Sequence, residues 1–233
     1  MTLISLGLAL FGFRWQGDWQ VLEGGGPALP AMEAAGPDGR ACSRAGWFTL
    51  EAVVLGAAFL LAFGYGGVFQ TLLPLRSGLL LGFDAGDIAL LVTAGYVADL
   101  LLLIPVGWLS DRKGKHRILA GGLGSLLLGT LLFGSGRGPF SMFLSSILLG
   151  ASLSTWMMPA AIVVTRRGRR TRSKALGLYR FVVDIGYILG PVMLGFIVEH
   201  QGYRVAGMVF AGLVASILLL ILLWNAPTSE NPG

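Results

Sequence analysis

Three ionisable side chains, Asp99, Arg180 and Asp184, stand inside long apolar runs of a 233-residue chain in which only 12% of residues are charged. An acid at the centre of a bilayer costs on the order of 2.5–3.5 kcal/mol on insertion scales, so Asp99 needs a wet cavity, a partner or a proton. The chemistry it offers is reversible protonation. Tyr96, three residues earlier on the same helical face, is a candidate hydrogen-bond donor to it. Two roles are open for Asp99: an acid on a solute or proton pathway, or a protonated or paired structural residue. Arg180 and Asp184 are spaced i,i+4 and can pair, although Arg preceding Asp is the weaker orientation. A structural ion pair, part of a gate with Asp111, is preferred to direct substrate contact, and Arg180 also has the reach to snorkel to the interface.

Uncharged residues add to the list. In FGYGGVFQTLLP three glycines surround Tyr65 and precede Gln70, a pattern able to unwind locally, and interrupted helices of this kind line binding sites at mid-depth. Glycine for packing alone is the equal alternative. Trp156, followed by Met157, Met158 and Pro159, suits either an adaptable apolar cavity wall or ordinary core. Enzyme chemistry is set aside. An intramembrane serine protease needs a Ser–His pair within the membrane, and His116 and His200 both fall in predicted loops. Cys42 is the only cysteine, and neither a metal-ligand cluster nor a phosphate-binding G-x-x-x-x-G-K-[ST] loop is present, so no cofactor, metal or ATP is implied.

The elements that must position these residues are membrane spans. Apolar residues make up 55% of the chain, too many for a water-facing globule at this charge content. Runs of about twenty apolar residues, each long enough to cross roughly 30 Å of hydrocarbon, predict six helices at Trp47–Leu72, Asp87–Leu109, Ile118–Phe133, Phe140–Thr165, Leu176–Val198 and Tyr203–Leu223. All must be helical, because unpaired backbone in lipid is too costly. The 36 glycines favour close helix packing. Residues 1–46 are expected to hold an apolar stump, too short to span, and a flexible Gly/Pro-rich linker; the start lacks the basic n-region and cleavage site of a signal peptide. Residues 47–225 form the six-helix domain and 226–233 a disordered tail.

Charge supplies the topology. Arg112, Lys113, Lys115 and Arg117 lie between spans two and three; Arg166, Arg167, Arg169, Arg170, Arg172 and Lys174 lie between spans four and five. Against these ten, the alternate loops hold only Arg76, Arg137 and Arg204. The positive-inside rule then puts the ten in the cytoplasm of a multi-pass protein of the cell (inner) membrane, and with six spans both termini face the cytoplasm too. The net charge of +5 is accounted for by this distribution, without a nucleic-acid partner.

The first basic loop, GWLSDRKGKHRIL, reads Gly107-x-Leu109-x-Asp111-Arg112-x-Gly114-Lys115-x-Arg117. Gly107 suits a close helix approach, Gly114 a tight turn, and the bases an anionic leaflet. Asp111 opposes the helix dipole, so it is expected to have a specific partner. The pattern resembles the cytoplasmic signature loop between the second and third helices of each half of the major facilitator superfamily. A second block, Gly186-x-x-x-Gly190-Pro191 followed by Gly195, is similar to the fifth or eleventh helix of such transporters, where it bends and packs against the opposite half.

The resemblance implies an all-α membrane fold, specifically a six-transmembrane-helix half of a major facilitator superfamily protein. The fourth span carries SSILLGASLSTWMMP, with Ser145 and Ser146 where many first halves have an arginine, which suggests the C-terminal half. The implied function is secondary active transport of a small solute by alternating access with proton coupling. A non-transporting six-helix scaffold or inert gene fragment is the alternative. The implied partners are the lipid bilayer, a small-molecule substrate, and a first-half polypeptide or a second copy in a homodimer.

Overall fold

The computed structural model describes residues 44–136, 138–166 and 172–224. The expected stump and linker, the tail, Arg137 and the basic positions Arg167, Arg169 and Arg170 lie outside them.

The first span is longer than its apolar run. Arg44–Gly64, Tyr65–Leu72 and Leu73–Leu81 follow one another without a break, the middle segment as a π-helix. Pro74 would be expected to stop such a helix, since its ring clashes with the carbonyl four residues back and it cannot donate. The widened π turn just before it absorbs both problems, and Pro74 falls in the first turn of the following α-helical segment. Arg76, expected in a loop, is therefore a buried helical residue. Gly82, at φ 68°, closes the helix in the left-handed conformation that glycine adopts without strain.

Asp84 caps the second span, Ala85–Lys113, by accepting from the Asp87 amide at 2.8 Å. One residue, Gly114 at φ 89°, then joins it to the third span, Lys115–Ser135. The tight hairpin read from the sequence is thus present, with a link shorter than expected.

The fourth span is broken. Pro139–Leu153 and Met158–Arg166 are separated by the turn 154–157. Pro159 lacks the N–H that would bond the Thr155 carbonyl in a continuous helix, and proline is comfortable only in a first helical turn, where it sits here. The freed backbone finds other partners: the Trp156 carbonyl accepts from the Tyr179 hydroxyl at 2.8 Å.

The last helix runs from Arg172 to Trp224, 53 residues, with Gly202 at φ 83° as its non-helical interior residue. At about 1.5 Å per residue it would be far longer than a bilayer is thick, so it has to fold back. It does. Gly190 meets the Phe63 backbone, and the Phe210 ring stacks on Phe63 at 5.3 Å, so residues on either side of Gly202 return to the same level of the first span. Among the described residues five stretches are long and apolar enough to cross a membrane, and the last of them, Ser173–Leu223, comprises two crossings hinged at Gly202.

Small residues bring the spans together. A Cβ on Gly150 would strike the Gly95 backbone, one on Gly207 would stand 2.9 Å from Gly134 Cα, and Gly122 is covered by Thr155. Serines bridge the same contacts: Ser146 Oγ donates to the Leu91 carbonyl at 2.6 Å, Ser145 Oγ to Gly129 at 2.8 Å, and Ser125 Oγ to Leu148 at 2.7 Å. Gly186 and Gly190 pack closely against Phe59 and Phe63 of the first span of this same domain. Gly107 and Gly195 have open space where a Cβ would stand, so neither marks a close approach among the described residues. Pro191 continues the helix without a non-helical residue beside it.

Gly150→Leu should therefore separate the second and fourth spans and cost at least about 1–3 kcal/mol, the usual range for overpacking. Ser146→Ala should cost only about 0.6 kcal/mol, the average for a polar contact between membrane helices. Thermal unfolding in detergent, followed by tryptophan fluorescence, reads both.

Candidate functional site

Five residues singled out from separate stretches of sequence meet in one place. Tyr65, Tyr96, Asp99 and Trp156, with Leu153, line a cavity of about 210 Å³, and Gln70 is bonded to two of them. The Gln70 amide nitrogen donates to the Tyr65 hydroxyl at 2.7 Å and lies 3.2 Å from the Tyr96 hydroxyl, while the two hydroxyls are 3.1 Å apart. On its other side the Gln70 carbonyl oxygen accepts from the Tyr187 hydroxyl at 2.5 Å. The first, second and fifth spans are thereby tied through one carboxamide.

The π-helical segment makes this possible. In an α-helix, residues five apart point about 140° away from each other. In the widened turn they stack, and both Gln70 with Tyr65 and Thr71 Oγ1 with the Gly66 carbonyl, at 2.8 Å, bond across that interval. The glycines, for which local unwinding and close packing are equal alternatives in the sequence, let the helix widen and sit close to the fifth span. A Cβ on Gly66 would lie 2.6 Å from the Tyr187 carbonyl oxygen, and one on Gly67 2.8 Å from the Gly190 carbonyl carbon.

Aromatic edges complete the walls. Tyr65 meets Trp156 edge-on at 5.6 Å and Tyr187 at 5.8 Å, and Phe69 meets Tyr96 at 5.3 Å and 90°. Trp156 reaches the cavity because it lies in the break of the fourth span. The site is at mid-depth: Asp99 is the middle residue of Ala85–Lys113. It also opens outward, since Tyr96 and Tyr187 are each 40% exposed.

Asp99 does not bond Tyr96. The tyrosine hydroxyl is engaged with Tyr65 and Gln70, and Asp99 Oδ1 is buried with no hydrogen-bond partner. Spacing alone could not show this, because the hydroxyl had a stronger claim from another helix. Tyr187 and Leu153 were missed. Tyr187 lies inside the Gly186–Gly190 interval, so a signal was present, but it was absorbed into the packing motif.

The expected gate residues are less closely joined. Arg180 Nε donates to Asp184 Oδ2 at 3.1 Å, and the pair is 71% and 52% exposed. Asp111 is exposed, and among the described residues no hydrogen bond or ion pair links it to them. In the hairpin, Arg112 lies over the Trp108 ring at 3.9 Å, while Lys115 is half-buried and Arg117 exposed.

Comparison with known proteins agrees with this architecture. A family model described as Major Facilitator Superfamily matches residues 45–232. The quinolone resistance protein NorA of Staphylococcus aureus is 26% identical over 158 residues, which cover 66% of this chain and 40% of that protein. Multidrug resistance protein 2 of Bacillus subtilis is 34% identical over 109 residues, 46% of this chain and 27% of the relative. The matched region spans less than half the length of either.

A buried carboxylate oxygen without a partner lowers stability by about 1–3 kcal/mol. Asp99→Leu should therefore raise the midpoint of thermal unfolding by an amount of that order. A fall would mean that Asp99 holds the fold together.

Proposed function

The chain belongs to the major facilitator superfamily, and on that premise we propose that it is one six-helix half of a secondary active transporter that moves a small solute by alternating access. The observation that carries this reading is the cavity of Tyr65, Tyr96, Asp99, Leu153 and Trp156, with Gln70 bonded to its two tyrosines: mostly apolar walls around one acid and two hydroxyls, at mid-membrane and open on one side. Polar side chains on such a face are poorly solvated by lipid, so a second six-helix unit, supplied in cis or by a first-half polypeptide or second copy, closes a path over them. A C-terminal-half position and a cell-membrane location with cytoplasmic termini are part of the same proposal, as is a conformational role for Asp111 and the Arg180–Asp184 pair. Enzyme activity is set aside on family membership, since the superfamily is one of transporters.

Asp99 is the proton carrier in this scheme. Its unpartnered oxygen is free to take a proton or a cationic group, and neutralising it removes the penalty of a bare charge at mid-depth. The walls supply the rest of the specificity. Two tyrosines and a tryptophan in the walls, with Tyr187 beside Tyr65, offer faces to planar rings and to delocalised cations. The substrate class is accordingly an amphipathic aromatic compound with positive charge, a reading supported by relatives named for quinolone and multidrug resistance.

Ethidium flux in proteoliposomes under an imposed pH gradient tests the assignment, with the chain alone and with a first-half polypeptide of the family. Flux should depend on the gradient, and Asp99→Asn should slow it at least tenfold while the protein still inserts. Wild-type proton dependence in Asp99→Asn would remove the carrier role. Absence of flux in every combination would favour a non-transporting scaffold.

A further inference from the structure

A second polar site lies at the membrane face opposite the Gly107–Arg117 hairpin. Arg76 from the end of the first span, Gly134 and Ser135 from the end of the third, and Arg204 from the start of the sixth line a cavity of about 380 Å³. Arg76 is only 9% exposed. Its Nη2 donates to the Gly136 carbonyl at 2.6 Å, satisfying the C-terminus of the third span, but its Nη1 is buried with no hydrogen-bond partner. The guanidinium lies 5.2 Å from the Phe133 ring centroid and 5.8 Å from that of Tyr203. Those rings hold its plane but accept no proton.

No carboxylate pairs with either arginine among the described residues; the ion pair present there is Arg180–Asp184, on the fifth span. Two cations therefore line one pocket without a counter-ion among the described residues, one of them buried and held by the Gly136 carbonyl, the other exposed at the rim. A buried charge is normally retained only when paired. A guanidinium whose Nη1 is buried but unpaired, next to a second arginine, is the donor set suited to a tetrahedral oxyanion.

We propose that Arg76 and Arg204 form an anion site for a phosphate group, separate from the Asp99 cavity. Arg76 supplies the fixed donor through Nη1, and Arg204 completes the charge from the rim. The same chemistry fits a phospholipid headgroup at the interface and a free phosphate in solution.

The full chain in neutral detergent is titrated with inorganic phosphate, and separately with short-chain phosphatidylglycerol against phosphatidylcholine, at constant ionic strength. Binding is read from the rise in unfolding midpoint. Arg204→Gln is the decisive variant because Arg204 is exposed; its unfolding without ligand serves as the control. Arg76→Lys is the second variant, keeping charge but losing the fork. Wild type should be stabilised, and the apparent dissociation constant should weaken at least tenfold in both variants. A response to phosphatidylglycerol without one to phosphate assigns the site to lipid; a response to phosphate assigns it to the free anion. No response to either in wild type, or equal responses in wild type and Arg204→Gln, overturns the proposal.

Discussion

Inside a bilayer a polar group has only the protein with which to pair, and this constraint organises the whole domain. Each interior serine named above donates to a carbonyl on a neighbouring span, so polarity that would be neutral on a soluble surface becomes an inter-helix fastener. Glycine makes these bonds reachable by letting backbones approach. Tyr65, Gln70, Tyr96 and Tyr187 follow the same logic at larger scale, pooling their hydroxyls and one carboxamide so that none is left alone. Against that background the exceptions stand out. Asp99 Oδ1 and Arg76 Nη1 are the buried side-chain atoms without partners among the described residues. Ring faces beside Arg76 offset some of its burial, about 0.5–2 kcal/mol per contact, against a penalty of several kcal/mol for a buried ion.

The spans were legible in the sequence because length and apolarity are direct consequences of bilayer thickness. The hairpin was legible because Gly114 is needed for its positive φ. Boundaries were less so. Arg76 reads as loop, since charge ends helices in water-facing proteins; here the π turn accommodates Pro74 so that the helix continues, and burial beside Phe133 accommodates the arginine. The break in the fourth span is signalled by Pro159 alone, a residue that reads equally as cavity wall or as ordinary core.

The site was legible as a set and illegible as a network. Asp99, Tyr65, Gln70, Tyr96 and Trp156 each violated the apolar pattern of its own span, which is a local signal. Which of them bond is decided by helix rotation and depth, which no single span encodes. The Tyr96 hydroxyl illustrates this, since spacing within its own helix pointed to Asp99 while packing delivered it to Tyr65. Gly107 and Gly195 show the converse. A glycine in a recognisable motif implies close packing only if a neighbour is there, and the described residues provide none.

Two irregular backbones, the π segment of the first span and the turn at residues 154–157 of the fourth, occur at the same depth and face each other through the Tyr65–Trp156 contact at 5.6 Å. Regular helices would have met there as two smooth cylinders. Lipid tolerates irregular backbone only where protein or a water-filled cavity shields it, so two such segments opposing one another mark the lining of a cavity rather than a lipid face. The widened turn aligns Gln70 with Tyr65, and the proline-induced break presents Trp156. Both distortions therefore convert helix surface into a concave wall beside an acid whose oxygen has no other occupation. The chemistry of the site is a property of these two departures from regular helix as much as of the side chains they carry.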